Sequence, residues 1–194
     1  MRSLGELSEP RVATRPDCRT RHRSWRLADL FRLHAETERR SAVAPQNAEV
    51  LGVDIDIRAH NREAIEAHPM FKRVSIIQGS SIAPVSIEQV KAKAADKQRV
   101  LVCLDSNHTH EHVLAELEAY ASLTFVGSYC VVFDTVIEDL PADMFLDRTW
   151  GPGDNPKTAL REYLTAHPEF EIDKSIEHKL LITVAPGGYL KRVR

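Results

Sequence analysis

Three aspartates stand where chemistry is expected, each at the end of a short apolar run: Val-Leu-Gly-Val-Asp54, Val-Leu-Val-Cys-Leu-Asp105 and Cys-Val-Val-Phe-Asp134. Such runs read as strands of a parallel sheet covered on both faces, and open α/β sheets bind ligands beyond the carboxyl ends of their strands. An acidic residue there can accept hydrogen bonds from ribose hydroxyls, which makes Asp54 a candidate for holding a nucleotide-like cofactor. The bland alternative for Asp54 is a turn or cap aspartate. Asp56 reads as a start signal for the helix that follows. Asp105 and Asp134 converge if their strands are neighbours, and two carboxylates so placed need a cation or a proton between them. A hard divalent ion such as Mg²⁺ suits them.

Asp105 opens the stretch Asp-Ser-Asn-His108-Thr-His110-Glu-His112. His108, three residues past Asp105, is the candidate general base near the metal. His108 and His112 have the spacing of a helical pair that could bind a transition metal, but a helix start with solvated histidines explains His110 and His112 equally simply. Gln78-Gly79-Ser80-Ser81 follows the next apolar run, where a glycine turn lets backbone approach a base and hydroxyls can bond to it. Trp150-Gly-Pro-Gly-Asp-Asn-Pro156 is a turn-rich loop, either a lid over the cleft or a plain connection.

The elements that must position these groups alternate. Strand-like runs at 50–53, 74–77, 100–104 and 129–133 are separated by helical patterns at 61–67, 86–95 and 109–123, and a further helix is expected near 158–166. Two closing strands are expected at Phe170–Ile172 and Leu180–Val184, paired antiparallel because no helix is read between them. The fold class is therefore α/β, with a mostly parallel sheet and an antiparallel C-terminal strand.

The 194 residues, 43% hydrophobic and 28% charged, suffice for one domain with a real core. A net charge of -2 and the lack of a basic stripe beyond residue 46 exclude nucleic acid as the expected partner. Cys103 and Cys130 lie inside apolar runs and read as buried thiols of a reducing compartment. No stretch is long and apolar enough for a membrane span or a secretory signal, so the expected location is the cytoplasm. Composition changes abruptly near Pro45: residues 1–45 hold ten arginines and no lysine, whereas 46–194 hold eight of each. The early segment shows no sustained period and by itself reads as a disordered basic arm.

Val-Asp-Ile-Asp-Ile-Arg, Leu-Asp-Ser-Asn-His-Thr-His, Trp-Gly-Pro-Gly-Asp-Asn-Pro-Lys-Thr and Lys-Leu-Leu-Ile-Thr-Val-Ala-Pro resemble the cephalosporin hydroxylase family and its rhamnosyl O-methyltransferase relatives. The resemblance runs through residues 46–194. It implies a Rossmann-like class I methyltransferase fold that uses S-adenosylmethionine and Mg²⁺, acting on a small molecule or a sugar hydroxyl of a lipid or polysaccharide precursor, in a homo-oligomer. By similarity to catechol O-methyltransferases, Asp54 would hold the cofactor ribose, Gly79, Ser80 and Ser81 would meet the adenine, Asp105 and Asp134 would bind the metal, and His108 would occupy the place of the catalytic lysine. Thr135 stands where that family has an asparagine ligand and Phe133 where the cephalosporin hydroxylases can carry a glutamate, leaving Glu138 and Asp139 to complete the metal shell.

The resemblance also demands a glycine-rich first strand and turn, which no Gly-x-Gly before residue 46 provides. Arg21 to Phe31 can be encoded so that reading one nucleotide over gives Gly-Ile-Gly-His-Gly-Gly-Ser-Leu-Ile-Phe, and the single codon of Trp25 fixes one of those glycines. Pro16 to Thr20 decode likewise as an apolar strand ending in an acidic residue. Residues 1–45 are therefore expected to be an out-of-frame translation of the first strand and helix, leaving a partial methyltransferase domain at 46–194. The competing expectation is an inactive remnant serving, if at all, as a binding or structural protein. A nicotinamide-dependent dehydrogenase would share the ribose aspartate but leaves the paired Asp105 and Asp134 unexplained.

Overall fold

Val-, Leu- and Ile-rich runs too short for stable helices pair as strands, and the alanine- and glutamate-rich stretches between them coil. The computed structural model describes residues 48–194, so the arginine-rich segment and its proposed frame change lie outside the described residues. Strand β1 (Val50–Asp54) leads through α1 (Ala59–Glu66) to β2 (Val74–Gln78), and α2 (Pro84–Ala94) leads to β3 (Val102–Leu104). Helix α3 (His110–Tyr120) and strand β4 (Tyr129–Val132) follow, then α4 (Pro156–Ala166), β5 (Phe170–Ile172), α5 (Lys174–Leu180) and β6 (Tyr189–Arg192).

The strands form two groups among the described residues. β1 pairs with β2 in parallel, and a four-stranded sheet has the order β3-β4-β6-β5. In the latter β3 and β4 are parallel, with Leu104 opposite Val132, while β6 runs antiparallel to both β4 and β5. This is the mixed α/β arrangement expected. No described helix is long and apolar enough to cross a membrane.

The core lies on the four-stranded sheet. Helix α3 turns Val113, Leu117 and Tyr120 inward, a spacing that keeps them on one stripe, and they pack with Cys130, Val132 and Leu190. Helix α4 adds Leu160 and Tyr163 to the same cluster. Its start is fixed by Asn155, whose side chain accepts from the amides of Lys157 and Thr158 while the Thr158 hydroxyl takes the Asn155 amide.

Three expectations need correction. The run Leu180–Val184 is not a strand: Asp173 caps α5 by accepting from the Ser175 amide at 2.9 Å, and Leu181 and Ile182 end up 86% and 91% exposed. The strand that partners β5 is instead Tyr189–Arg192, reached after α5 and a glycine turn. The antiparallel pairing thus holds, but with a helix between its strands. Cys103, read as buried, is exposed, whereas Cys130 is buried as expected. The difference is one of cover: β4 is flanked by β3 and β6, while β3 has a strand neighbour on one side only among the described residues. Asp56 does not cap α1, whose N-cap is Arg58 without a side-chain bond.

The β6 turn depends on the absence of a side chain at Gly188. The Val132 amide donates to the Gly188 carbonyl at 2.8 Å, and a Cβ on Gly188 would lie 2.1 Å from the Val132 carbonyl oxygen. Backbone cannot yield there as a flexible side chain could. Gly188→Ala should destabilise the fold by about 1–3 kcal/mol, the range of overpacking changes, read as a lower denaturation midpoint. An unchanged midpoint would contradict this close approach.

Candidate active and metal site

Adjacent parallel strands deliver their next residues to the same edge. Leu104 and Val132 are register partners, so Asp105 and Asp134 emerge side by side beyond β3 and β4. Asp134 adopts φ 56°, a left-handed conformation that aspartate tolerates better than most side chains, and the chain turns there into the tight helical turn Thr135–Asp139. His108, just before α3, hydrogen-bonds through Nε2 to Asp134 Oδ2. Asp105, His108 and Asp134 each offer one ligand atom, and these atoms lie within 4.8 Å of one another, all half-buried. Two carboxylate oxygens side by side could hold a hard divalent ion such as Mg²⁺ or Mn²⁺, with the His108 imidazole within reach of the same place.

The loop after β4 builds one wall. Trp150 packs against the His108 ring at 4.8 Å between centroids, backed by Phe145 at 5.4 Å and with the Arg148 guanidinium 5.5 Å from its ring centre. The loop is held from beneath. Gly151 and Asp154 exchange two backbone bonds of 3.0 Å, Gly153 donates its amide to Glu138 at 2.8 Å, and Asn155 Nδ2 reaches Glu138 at 2.5 Å and the Gly151 carbonyl at 2.9 Å. The Gly153 amide and then the Asn155 side chain hold the Glu138 carboxyl below its ordinary range. Asp139 pairs with Lys157 at 2.5 Å. Glu138 and Asp139, available in sequence terms for a metal, are thus engaged in fixing the loop and α4.

The remaining histidines serve different neighbours. His110 donates its amide to Asp154 Oδ1 at 2.7 Å, and its ring lies 2.8 Å from the Thr158 hydroxyl and 3.1 Å from Glu162. It therefore ties α3 to the Trp150 loop and α4. His112 Nε2 lies 3.0 Å from Ser81 Oγ and 3.2 Å from Ser106 Oγ, which joins the turn after β2 to the residue after Asp105. Ser106 also donates to Glu116 at 2.6 Å. Tyr120 donates to the Ser81 carbonyl, and burial, reinforced by the charge of Glu116, pushes its hydroxyl up to about 12, so it stays protonated.

Asp54 and Gly79 come together, since the Gly79 amide donates to the Asp54 carbonyl at 2.9 Å. The Asp54 carboxylate accepts from the Asp56 amide at 3.0 Å, the short local bond of a turn aspartate. Asp54 is not in the cluster of Asp105, His108 and Asp134. Thr135, in the position of an expected ligand, is fully buried and donates to the Pro186 carbonyl at 3.0 Å. Sequence reasoning missed Glu116, although a glutamate inside the apolar stripe Val113, Leu117, Tyr120 was the available signal.

Comparison with known proteins identifies the family. The family described as Rhamnosyl O-methyltransferase/CmcI matches residues 27–193, beginning upstream of the stretch on which the sequence resemblance rests. The chain is 33% identical over 121 residues to rhamnosyl O-methyltransferases of Mycobacterium bovis and Mycobacterium tuberculosis, covering 61% of this chain and 47% of each relative. The Mycobacterium leprae rhamnosyl O-methyltransferase is 32% identical over 149 residues, 76% of this chain and 60% of its own length. The chain thus spans about half the length of the first of these relatives. With the family matched over most of its residues, the chain belongs to the Rhamnosyl O-methyltransferase/CmcI family.

Proposed function

We propose that the chain is an S-adenosylmethionine-dependent O-methyltransferase domain in which Asp105 and Asp134 hold a divalent cation and His108 receives the proton of the acceptor hydroxyl. The observation that carries this reading is the meeting of two carboxylates and an imidazole at neighbouring strand ends, beneath Trp150, in a chain of this family. The mycobacterial relatives are named for rhamnosyl groups, which makes a sugar hydroxyl the acceptor class proposed here.

Bound S-adenosylmethionine would supply a methyl group made electrophilic by its sulfonium. A cation on Asp105 and Asp134, Mg²⁺ or Mn²⁺, would lower the pKa of an acceptor hydroxyl and orient it. The residues divide the remaining work. Asp134, by bonding His108 Nε2, fixes the imidazole ring and stabilises its protonated form once it takes the proton. Trp150 packs against His108 and would limit the access of water from that side. Asp54 would accept the ribose hydroxyls, exchanging its bond to the Asp56 amide for a ligand, while Gly79, Ser80 and Ser81 would line the adenine side. A second reading, an inactive remnant, is favoured by one observation: among the described residues β1 has no buried residue and Cys103 of β3 is exposed.

Two measurements test these readings. Calorimetric titration with S-adenosylmethionine should give micromolar binding that weakens at least about tenfold in Asp54→Ala, the scale of one or two lost hydrogen bonds to a ligand; no heat at millimolar ligand would favour the remnant. Titration with Mn²⁺ should show one site whose affinity falls by more than about tenfold in Asp134→Asn, since even residues behind a metal ligand commonly matter by that much. Asparagine also tolerates the left-handed backbone, so the variant removes charge without adding strain. Equal Mn²⁺ affinity in the variant would remove Asp134 from the metal site.

A further inference from the structure

Residues 178–184 read His-Lys-Leu-Leu-Ile-Thr-Val, and the apolar side chains among them lie largely in solvent. Leu181 is 86% and Ile182 91% exposed, with Leu180 and Val184 half exposed on either side. Single apolar side chains scattered over a surface need no explanation, but four within one short run do. The run is not a strand awaiting a sheet: α5 ends at Leu180, and the strand that completes the sheet is β6.

The backbone holds this tip out and fastens its base. Leu181 has φ 65° and ψ -42°, close to the strained γ-turn that a leucine rarely adopts. Before it, Glu177 accepts the Gly187 amide at 2.6 Å. After it, the Thr183 and Tyr189 hydroxyls lie 2.7 Å apart, and the Val184 carbonyl accepts the Val136 amide at 3.2 Å. Val136 stands two residues beyond Asp134, so the tip is fixed to the turn that leaves the candidate metal site. A strained, tethered segment whose apolar side chains meet water is the kind of exception that a binding surface explains.

The charges around the tip indicate what it meets. Lys174, His178 and Lys179 of α5 are exposed. The acids of the same stretch are engaged elsewhere: Asp173 accepts from the Ser175 amide and the Tyr129 hydroxyl, and Glu177 from the Gly187 amide. Apolar side chains on a projecting tip with cations behind them match a surface that is anionic outside and apolar within, the headgroup layer of an acidic lipid. A second copy of this chain fits less well, because a two-fold contact through the tip would set Lys179 against its own counterpart.

We propose that residues 174–184 dock the chain on an anionic lipid surface, with Leu181 and Ile182 entering the acyl boundary while Lys174 and Lys179 meet the headgroups. No bond is made or broken in this docking, and neither methyl donor nor metal takes part.

Co-sedimentation of the full chain with vesicles, in the absence of S-adenosylmethionine and added metal, tests it. Vesicles of equimolar phosphatidylcholine and phosphatidylglycerol should bind the chain, and phosphatidylcholine alone at least about tenfold less well. The arginines of residues 1–45 can themselves draw a chain to acidic lipid, so the variants decide the matter. Leu181→Ser combined with Ile182→Ser should weaken binding to the mixed vesicles at least about tenfold. Lys174→Gln combined with Lys179→Gln should weaken it about tenfold. Both pairs should keep the parent's melting temperature, since all four side chains are exposed. Should the serine pair unfold the chain, Ile182→Trp reports instead: its emission, less the parent's, should shift to the blue on the mixed vesicles. The proposal is overturned if the parent does not bind the mixed vesicles, if phosphatidylcholine alone binds it equally, if either folded double variant binds as the parent does, or if the Ile182→Trp emission does not move. It is equally overturned if the parent is a dimer on size exclusion that the serine pair dissociates, for then a second copy covers the tip. Because no cofactor or metal is present, failure here leaves the methyltransferase reading untouched, and failed cofactor binding leaves this one untouched.

Discussion

Parallel pairing of β3 with β4 forces two aspartates out of the same sheet edge, and the local structure is arranged around that crowding of negative charge. Like charges a few ångströms apart in a half-buried setting repel by several kcal/mol unless something positive or a proton intervenes. His108 is the neighbour that packs into this corner, bonded through Nε2 to Asp134 Oδ2. For its ring to arrive, α3 must begin only at His110, leaving His108 on the approach, and Asp134 must turn its backbone into the left-handed region to face it. A strained aspartate held by a hydrogen bond and overlain by an aromatic ring is the kind of local exception that the surrounding fold has to enforce.

Enforcement comes from α3 as a whole. One stripe of the helix, Val113, Leu117 and Tyr120, fixes it on the hydrophobic core, and the histidines at and just before its start reach in three directions. His108 goes to the strand ends, His110 to the Trp150 loop and α4, and His112 to the turn after β2. Three histidines at alternate positions thus act as three separate ties, and none of them needs the others as a ligand partner. The clustering that suggests a polyhistidine metal site is resolved by the helix starting partway through it.

Much of this was legible in sequence. Apolar runs ending in aspartate located β1, β3 and β4, and the neighbourhood of Asp105 and Asp134 was expected only if β3 and β4 were neighbours, which the sheet order supplies. Where legibility failed, the deciding facts were long-range. Leu180–Val184 has the composition of a strand, but Asp173 starts a helix and β6 is chosen by its fit between β4 and β5, where Leu190 is fully buried. Cys103 sits in as apolar a run as Cys130, and among the described residues β3 has one strand neighbour where β4 has two. Glu116 was missed because its place in the apolar stripe does not reveal that its carboxylate faces Ser106. The role of Trp150 was half visible: a turn-rich loop was expected, whereas its contact with His108 depends on Glu138 and Asn155 bonds that no local pattern encodes.

Asn155 carries a consequence for recognition. Its side chain accepts two amides of α4 and donates to both Glu138 and Gly151, so the Trp150 loop is anchored to the helix that packs on the core. The entropy of ordering this loop is lost when the chain folds, not when a ligand arrives. Under the proposed function an acceptor would meet a preformed wall, whose shape, more than any closing motion, would set which rings could lie beside His108. Discrimination of this kind is lock-like: it rejects a misfit by steric contact at first encounter and draws little of its selectivity from rearrangement afterwards.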